Sequence, residues 1–121
     1  MSRIRVKGSC PEMIVRRAAF GLGYRYRLHR RDLPGTPDIV FERRRKVIFV
    51  HGCFWHQHPG CRKASIPKSN SAFWLNKLTG NVRRDHLAIQ ALNRAGWDVL
   101  VLWECKIDTT DIYILLKDYL R

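Results

Sequence analysis

Apolar residues at helical spacing mark the first predicted element of the chain. Ser9-Cys10-Pro11-Glu12 has the capping-box pattern of a helix N-terminus, with a proline inside the first turn. The helix that follows would bury one side and end at Gly21 and Gly23. The residues expected on that buried side are Ile14, Val15, Ala18 and Ala19.

Four segments have the composition of β-strands. Tyr24 to His29 alternates aromatic or aliphatic residues with basic ones, which predicts a strand with one face in water. Asp38 to Phe41 begins a second strand, and Glu42 to Arg45 is a charged turn. Lys46 to His51 is the most apolar of the four, so we expect it at the centre of the sheet. Trp97 to Trp103 is the fourth strand.

The second half of the chain is predicted to be mainly helical. Ser71 to Leu78 and Asn81 to Ala95 form two helices in this prediction, and Asp111 to Leu120 forms a last one. The residues expected to face inward from the second of these helices are Val82, Leu87, Ala88, Ala91 and Leu92. The order αβββααβα predicts a mixed α/β layer arrangement. Gly52 to Asn70 is long and irregular, which indicates a functional loop or one with an internal brace.

The charge of the chain narrows the classes of ligand. The chain has 23 Lys and Arg residues against 10 Asp and Glu, which gives a formal net charge of +13, and the basic residues are spread along the sequence. A basic folded domain usually binds a polyanion, so nucleic acid is the favoured partner. The alternative is a basic protein that binds ribosomes or anionic lipid non-specifically. No run of about 18 apolar residues is present, and no apolar stretch follows the basic start, which favours the cytoplasm.

Cysteine and histidine residues cluster inside the irregular loop. Cys53, His58 and Cys61 have the spacing C-x4-H-x2-C, and Cys105 lies just after the last predicted strand. Thiolates and imidazole are ligands that zinc prefers, and four protein ligands make a closed structural site. Such a site would tie the loop to the end of the sheet. Free cysteines beside a surface histidine are the plain alternative.

Spacing alone leaves two points about these residues open. His56 could replace His58 as a ligand, because C-x2-H-x4-C is also geometrically possible, and spacing favours His58 only slightly. Cys10 has no obvious partner, and we interpret it as a buried or idle thiol.

A carboxylate and two histidines are expected at one end of the sheet. Asp38 begins the second strand and His51 ends the third, with His56 in the loop just beyond. One carboxylate can hold Mg2+, with the backbone carbonyl of Val50 as a second ligand, and a histidine can activate water near neutral pH. Together these groups suit phosphodiester hydrolysis. The plain alternatives are ordinary turn chemistry at Asp38 and, for Glu12, a helix cap only.

Aromatic residues flank this predicted chemistry. Phe54 and Trp55 lie in the loop, and Trp74 lies in the helix after it. Aromatic side chains that wedge between base steps kink DNA, and a mismatched pair lowers the cost of unstacking. Packing in the core is an equally good interpretation of these three rings. For Phe73 and Trp97 we expect the core.

Several runs of the sequence resemble a known family. They are LPGTPD at residues 33–38, VIFVHGCFWH at 47–56, FWL at 73–75, NV at 81–82 and WEC at 103–105. Together they are similar to the very short patch repair (Vsr) endonucleases, and the resemblance covers nearly the whole chain. It implies a single Vsr-like domain over residues 1–121. The implied fold is a restriction-endonuclease-like mixed sheet flanked by helices, with a modified PD-(D/E)xK core and a zinc-braced loop.

The resemblance also implies active-site residues. Asp38 matches the family's metal-binding aspartate, and His56 matches the histidine that activates water. A second histidine, a glutamate on the first helix and an acidic residue near the histidines correspond to His51, Glu12 and Asp85. Phe49 and His51 stand where ordinary members of the superfamily carry Glu and Lys, and this departure agrees with Vsr proteins.

The same resemblance implies a metal centre and a DNA contact. The residues that match the zinc ligands are Cys53, His58, Cys61 and Cys105, which selects His58 over His56. The residues that match aromatics intercalating at a mismatch are Phe54, Trp55 and Trp74. The family also carries an additional N-terminal segment that helps grip DNA, and little precedes Arg3-Ile4-Arg5 here, so we expect an effect on DNA affinity.

These expectations define a function and two rivals. We expect a monomeric, Mg2+-dependent enzyme of the bacterial cytoplasm and nucleoid, with structural Zn2+. It would nick double-stranded DNA 5′ to the thymine of a T:G mismatch that arises from deaminated 5-methylcytosine. Mismatch-repair proteins are further expected partners. The rivals are a related nuclease with another target, such as a branched junction or a restriction-type site, and a non-catalytic zinc module that only binds DNA.

Overall fold

The structure of the chain is a computed structural model that describes residues 10–107 and 111–121. Its elements in chain order are helix α1 (Cys10–Gly21), strands β1 (Arg27–Leu28), β2 (Ile39–Phe41) and β3 (Lys46–His51), helix α2 (Ser71–Arg94), strand β4 (Asp98–Trp103), and helices α3 (Glu104–Ile107) and α4 (Ile112–Leu120). Short 3-10 turns lie at Glu42–Arg44 and Arg62–Ala64. The predicted mixed α/β class is confirmed.

The four strands form one mixed sheet in the order β1-β2-β3-β4. β1 and β2 pair antiparallel, as do β2 and β3, whereas β3 and β4 are parallel and are joined through α2. The apolar strand β3 has a partner on each side, as its sequence predicts. Because β2 runs against β3, the start of β2 and the end of β3 lie at the same edge of the sheet.

Helices cover both faces of the sheet and divide the core in two. Helices α1, α3 and α4 pack on one face, and the buried residues of that layer are Val15, Ala18, Ala19, Ile39, Phe41, Ile48, Leu102, Ile107, Ile112, Leu116 and Leu120. Helix α2 packs on the other face, where the buried residues are Val40, Val47, Phe49, Leu92 and Trp97. The alternation of side chains along β2 and β3 supplies both layers. No helix within residues 10–107 and 111–121 has the length and apolarity to cross a membrane.

Two of the predicted helices are one. Helix α2 continues from Ser71 to Arg94 through Gly80, where two separate helices were predicted. A glycine in a helix interior costs about 1 kcal/mol relative to alanine, which the packing of so long a helix offsets. Strand β1 is shorter than the predicted Tyr24 to His29, because its partner β2 has only three residues.

Three residues that were predicted to be buried are exposed in the structure. Ile14 is 40% exposed, since it lies about 100° around α1 from the fully buried Val15. Leu87 is exposed on α2 because it lies about 140° from Leu92, which is buried. Phe73, predicted for the core, is 60% exposed near the start of the same helix. Trp97 is buried as predicted.

Two predictions concern parts that the structure does not describe. Ser9, the first residue of the predicted capping box, lies outside the described residues. The side chain of Cys10 also lies outside what is described, so its predicted idle or buried thiol is not tested.

Candidate active site

Asp38 directly precedes β2 and lies next to the end of β3, because the two strands are antiparallel. The Asp38 carboxylate accepts a hydrogen bond from the backbone N–H of Val50, with 2.7 Å between Oδ2 and N. Burial raises the pKa of the Asp38 carboxyl, the Val50 N–H lowers it, and the nearby charge of Glu12 raises it again. The structure therefore holds this carboxylate in a fixed orientation, in a position where a cation would stabilise its charge.

His56 forms the second part of the site, together with Asp85 on α2. His56 Nδ1 lies 2.6 Å from Asp85 Oδ2, and both side chains are less than one third exposed. Because an ionised carboxylate can only accept, the imidazole donates from Nδ1 and leaves Nε2 as the acceptor in its neutral form. This is the geometry of an oriented general base.

His51 lies beneath His56 at the end of β3. The two imidazole rings are stacked with 3.8 Å between their centroids and 5° between their planes. Burial, followed by the neighbouring His56, lowers the pKa of His51 to about 4. Its Nδ1 is buried with no hydrogen-bond partner among the described residues. His51 is therefore a neutral ring that supports the plane of His56.

The side chains of Glu12 and His29 lie close to Asp38. Glu12 is buried on α1, and its Oε2 lies 3.1 Å from His29 Nε2 and 3.4 Å from an Arg16 guanidinium nitrogen. His29 Nε2 also lies 3.8 Å from Asp38 Oδ1. The carboxylate of Glu12 thus faces the site.

His29 is the site residue that sequence reasoning missed. It stands at the end of an alternating basic segment, where a histidine resembles any other residue on a solvated face. The signal available was its place directly before the loop that leads to Asp38, combined with the antiparallel pairing of β1 and β2. That pairing makes His29 and Asp38 neighbours across the two strands.

Three thiols and one imidazole form a separate cluster at the base of the loop. His58 Nδ1 lies 3.6 Å from Cys53 Sγ and 3.4 Å from Cys105 Sγ, and Cys61 Sγ lies 4.0 Å from Cys105 Sγ. One ligand atom from each of the four lies within 4.8 Å of the others. The structure places His58, and not His56, among the thiols. This set of three sulfur donors and one nitrogen donor could hold a metal ion.

Aromatic stacking connects the thiol cluster to the histidine pair. The His58 ring stacks on Trp103 with 4.3 Å between centroids, and Trp103 meets His51 edge-on at 5.1 Å. His51 in turn stacks on His56. A continuous series of ring contacts therefore links the thiol cluster to the His56 ring.

The three aromatics predicted to contact DNA form one cluster. The ring centroids of Phe54 and Trp55 lie 5.0 Å apart, those of Phe54 and Trp74 5.6 Å, and those of Trp55 and Trp74 5.8 Å. Trp55 is 48% exposed, which is high for so large an apolar ring. Phe73 extends the cluster by an edge-on contact with Trp74. The cluster is a surface feature beside the histidines, and it does not form part of either core layer.

Sequence comparisons place these features among known proteins. A sequence model of the family described as "DNA mismatch endonuclease Vsr" matches residues 1–63, more than half of the chain. Type II nicking enzyme V.XorIIP of Xanthomonas oryzae pv. oryzae is 51% identical over 107 residues, which cover 88% of this chain and 78% of that protein. Type II nicking enzyme V.NmeAIP of Neisseria meningitidis is 44% identical over 107 residues, which cover 88% and 76%. DNA mismatch endonuclease Vsr of Escherichia coli K12 is 45% identical over 87 residues, which cover 72% of this chain and 55% of that protein.

Proposed function

Because this chain belongs to the Vsr family of DNA mismatch endonucleases, we propose that it nicks DNA 5′ to the thymine of a T:G mismatch by Mg2+-dependent hydrolysis. The chain is a DNA endonuclease of the Vsr type. The proposed target is the T:G pair left when 5-methylcytosine loses its amino group. The observation that carries the proposal is the His56–Asp85 pair, which lies near enough to Asp38 for the charges of His56 and Asp38 to interact, and His56 directly follows two rings of an exposed aromatic cluster in the same loop.

The side chains of Glu12, His29 and Asp38 could bind a divalent cation. Asp38 Oδ2 is occupied by the Val50 N–H, and Oδ1 faces the Glu12 and His29 side chains. Ligand atoms from Glu12, His29 and Asp38 lie within 4.8 Å of one another, and two of them are carboxylate oxygens of the kind that Mg2+ prefers. We propose that Asp38 and the Val50 carbonyl hold the ion. When bound, Mg2+ would neutralise charge that develops on the scissile phosphate.

His56 is the proposed general base. Its Nε2, left free by the bond from Nδ1 to Asp85, takes a proton from the attacking water. The water oxygen joins the phosphorus, the bond from phosphorus to the leaving sugar oxygen breaks, and the leaving oxygen takes a proton from a second water molecule; His56 later releases its proton to solvent. Asp85 stabilises the positive charge that His56 acquires, and the neutral His51 ring keeps it in plane. Glu12 supports the water and phosphate from the other side.

The aromatic cluster is the proposed reader of the mismatch. Phe54, Trp55 and Trp74 would enter the base stack, where unstacking costs a few kcal/mol. A T:G pair stacks and pairs less well than T:A, so the same insertion costs less there. The net charge of +13 favours approach to DNA of any sequence and, we propose, residence on the bacterial nucleoid. Discrimination therefore comes from the rings and not from the charge.

The thiol cluster has a proposed structural role. Zn2+ held by Cys53, His58, Cys61 and Cys105 would have no open position, so it would brace the loop and take no part in hydrolysis. The sheet with helices on both faces is compatible with the restriction-endonuclease type of fold. We propose that the chain works as one such domain and as a monomer.

A nicking assay on matched DNA tests this function. The substrates are one labelled duplex with a single T:G pair, its T:A control, and a branched junction, each with Mg2+ and with EDTA. The proposal expects a Mg2+-dependent nick on the 5′ side of the mismatched thymine, absent from the control. Equal cleavage of all three would reject the mismatch role and keep the nuclease. Tight binding with no cleavage would instead support a non-catalytic DNA-binding module.

A further inference from the structure

The imidazole of His29 lies close to two carboxylates, those of Glu12 and Asp38. Its Nε2 lies 3.1 Å from Glu12 Oε2 and 3.8 Å from Asp38 Oδ1. The three groups come from three different parts of the chain: His29 directly follows β1, Glu12 lies on α1, and Asp38 directly precedes β2. Convergence of this kind is typical of a ligand site and is not needed to pair a single surface charge.

The backbone fixes His29 in this position. Its N–H donates to the carbonyl of Asp38 with 3.0 Å between N and O, which extends the β1–β2 pairing by one residue. His29 has φ of +48°, a left-handed conformation that is uncommon for residues other than glycine. The antiparallel pairing and this turn of the chain hold the imidazole beside Asp38, while half of the His29 side chain remains accessible.

The charges around the site favour a cation beside Asp38, within reach of His29 and near Glu12. Glu12 is buried and Asp38 is largely buried, and the nearby charge of Glu12 raises the pKa of the Asp38 carboxyl. Arg16 approaches Glu12 Oε2 at 3.4 Å. An imidazole in the same space supplies a donor to the ion without adding a third negative charge.

We propose that His29 is a ligand of the catalytic divalent cation through Nε2, beside Asp38 and Glu12. The inference rests on the proposed function, because it adds a nitrogen donor to the same metal site. Nitrogen donors bind later transition ions better than Mg2+, which prefers oxygen. The chain is therefore expected to discriminate in favour of Co2+ over Mg2+ through this residue.

Pulsed electron paramagnetic resonance of bound Mn2+ tests the ligand directly. The zinc-loaded full chain is titrated with Mn2+, and coupling of the electron spin to 14N is recorded for the wild type and for His29→Asn. Asparagine tolerates the left-handed backbone but is too short to replace the imidazole. His86→Asn, at an exposed histidine on α2, is the matched control.

The expected result is 14N coupling in the wild type and in His86→Asn, and no such coupling in His29→Asn. If His29 only bridged the two carboxylates and did not bind the ion, the wild type would show no 14N coupling to Mn2+. That result would overturn the inference, and it does not depend on whether His29→Asn folds. Coupling that persists in His29→Asn also overturns it and leaves the proposed function intact. Mn2+ binding that Asp38→Asn does not weaken would overturn both the ligand and the proposed metal site.

Calorimetry supplies a second measure of the same ligand. His29→Asn should weaken Co2+ binding by at least about tenfold, as expected for loss of a protein–metal contact, and should weaken Mg2+ binding clearly less. Equal weakening for the two ions would contradict the nitrogen-ligand assignment.

Discussion

Asp85→Asn isolates the charge that orients the general base. Asp85 Oδ2 lies 2.6 Å from His56 Nδ1, and hydrogen bonds to an ionised carboxylate are short and stronger than those between neutral groups. The two side chains are 29% and 26% exposed, so water screens the contact only in part. Asparagine keeps the shape but loses the charge. Its amide can also donate to Nδ1, which favours the tautomer whose Nε2 carries hydrogen and cannot accept a proton.

The expected loss follows from the strength of that bond. A hydrogen bond to a charged group contributes about 1.5–3 kcal/mol. At about 1.4 kcal/mol for each factor of ten, its removal slows cleavage of bound DNA roughly 10- to 150-fold. The tautomer change acts in the same direction, so roughly tenfold is the smallest loss that we expect.

Single-turnover nicking of a T:G duplex at saturating enzyme measures this loss. The dissociation constant for DNA and the zinc content are measured on the same preparations, and neither should change. Asp118→Asn is the matched control, because Asp118 lies on α4 and pairs with the exposed Arg121. A rate for Asp85→Asn equal to that of Asp118→Asn would refute the general-base assignment.

Three further predictions concern the brace, the buried histidine and the aromatic cluster. Cys61→Ser should abolish stoichiometric zinc and lower Tm by about 10 °C or more, measured by metal analysis and thermal melting; an unchanged zinc content would exclude Cys61 as a ligand. The folded-state pKa of His51 is lowered from 6.5 to about 4, so the unfolded chain binds a proton in that interval that the folded chain does not. The free energy of unfolding should therefore fall as pH drops from 6.5 to 4, by up to about 3 kcal/mol, and His51→Gln should flatten the slope in urea titrations; parallel slopes for the two proteins would show that His51 is not responsible. Trp55→Ala should lower affinity for a T:G duplex roughly 5- to 150-fold in competition binding, whereas Phe20→Ala, at an equally exposed ring on α1, should not; equal effects would deny Trp55 a specific role.

The alternating and apolar patterns of the sequence predicted most of the β-sheet. Three of the four predicted strands lie within two residues of their observed bounds, because β2, β3 and β4 owe their pattern to burial in the sheet. The prediction of two helices, Ser71 to Leu78 and Asn81 to Ala95, was wrong, because one 24-residue helix runs through Gly80. Local sequence shows the cost of such a residue but not the tertiary contacts that offset it.

The site was predictable where residues lie close in sequence or at matching strand ends. Asp38 meets the end of β3 because antiparallel strands share an edge, which the sequence order alone implies. His29 was not predicted, because its role depends on the register of a two-residue strand and on a left-handed turn. The exposure of Phe73 was missed for a similar reason, since an aromatic ring at a helix start has the same local pattern in the core and at the surface.

The most direct test of the account compares the wild type with Asp38→Asn on the mismatched duplex. Both proteins are zinc-loaded, supplied with Mg2+ and matched for DNA binding, and the nick is mapped to the nucleotide. The account predicts that the wild type cuts on the 5′ side of the mismatched thymine and spares T:A, and that Asp38→Asn binds the same DNA without cutting it. Full cleavage by Asp38→Asn would contradict the assignment of the active site to the region around Asp38, where β2 begins and β3 ends.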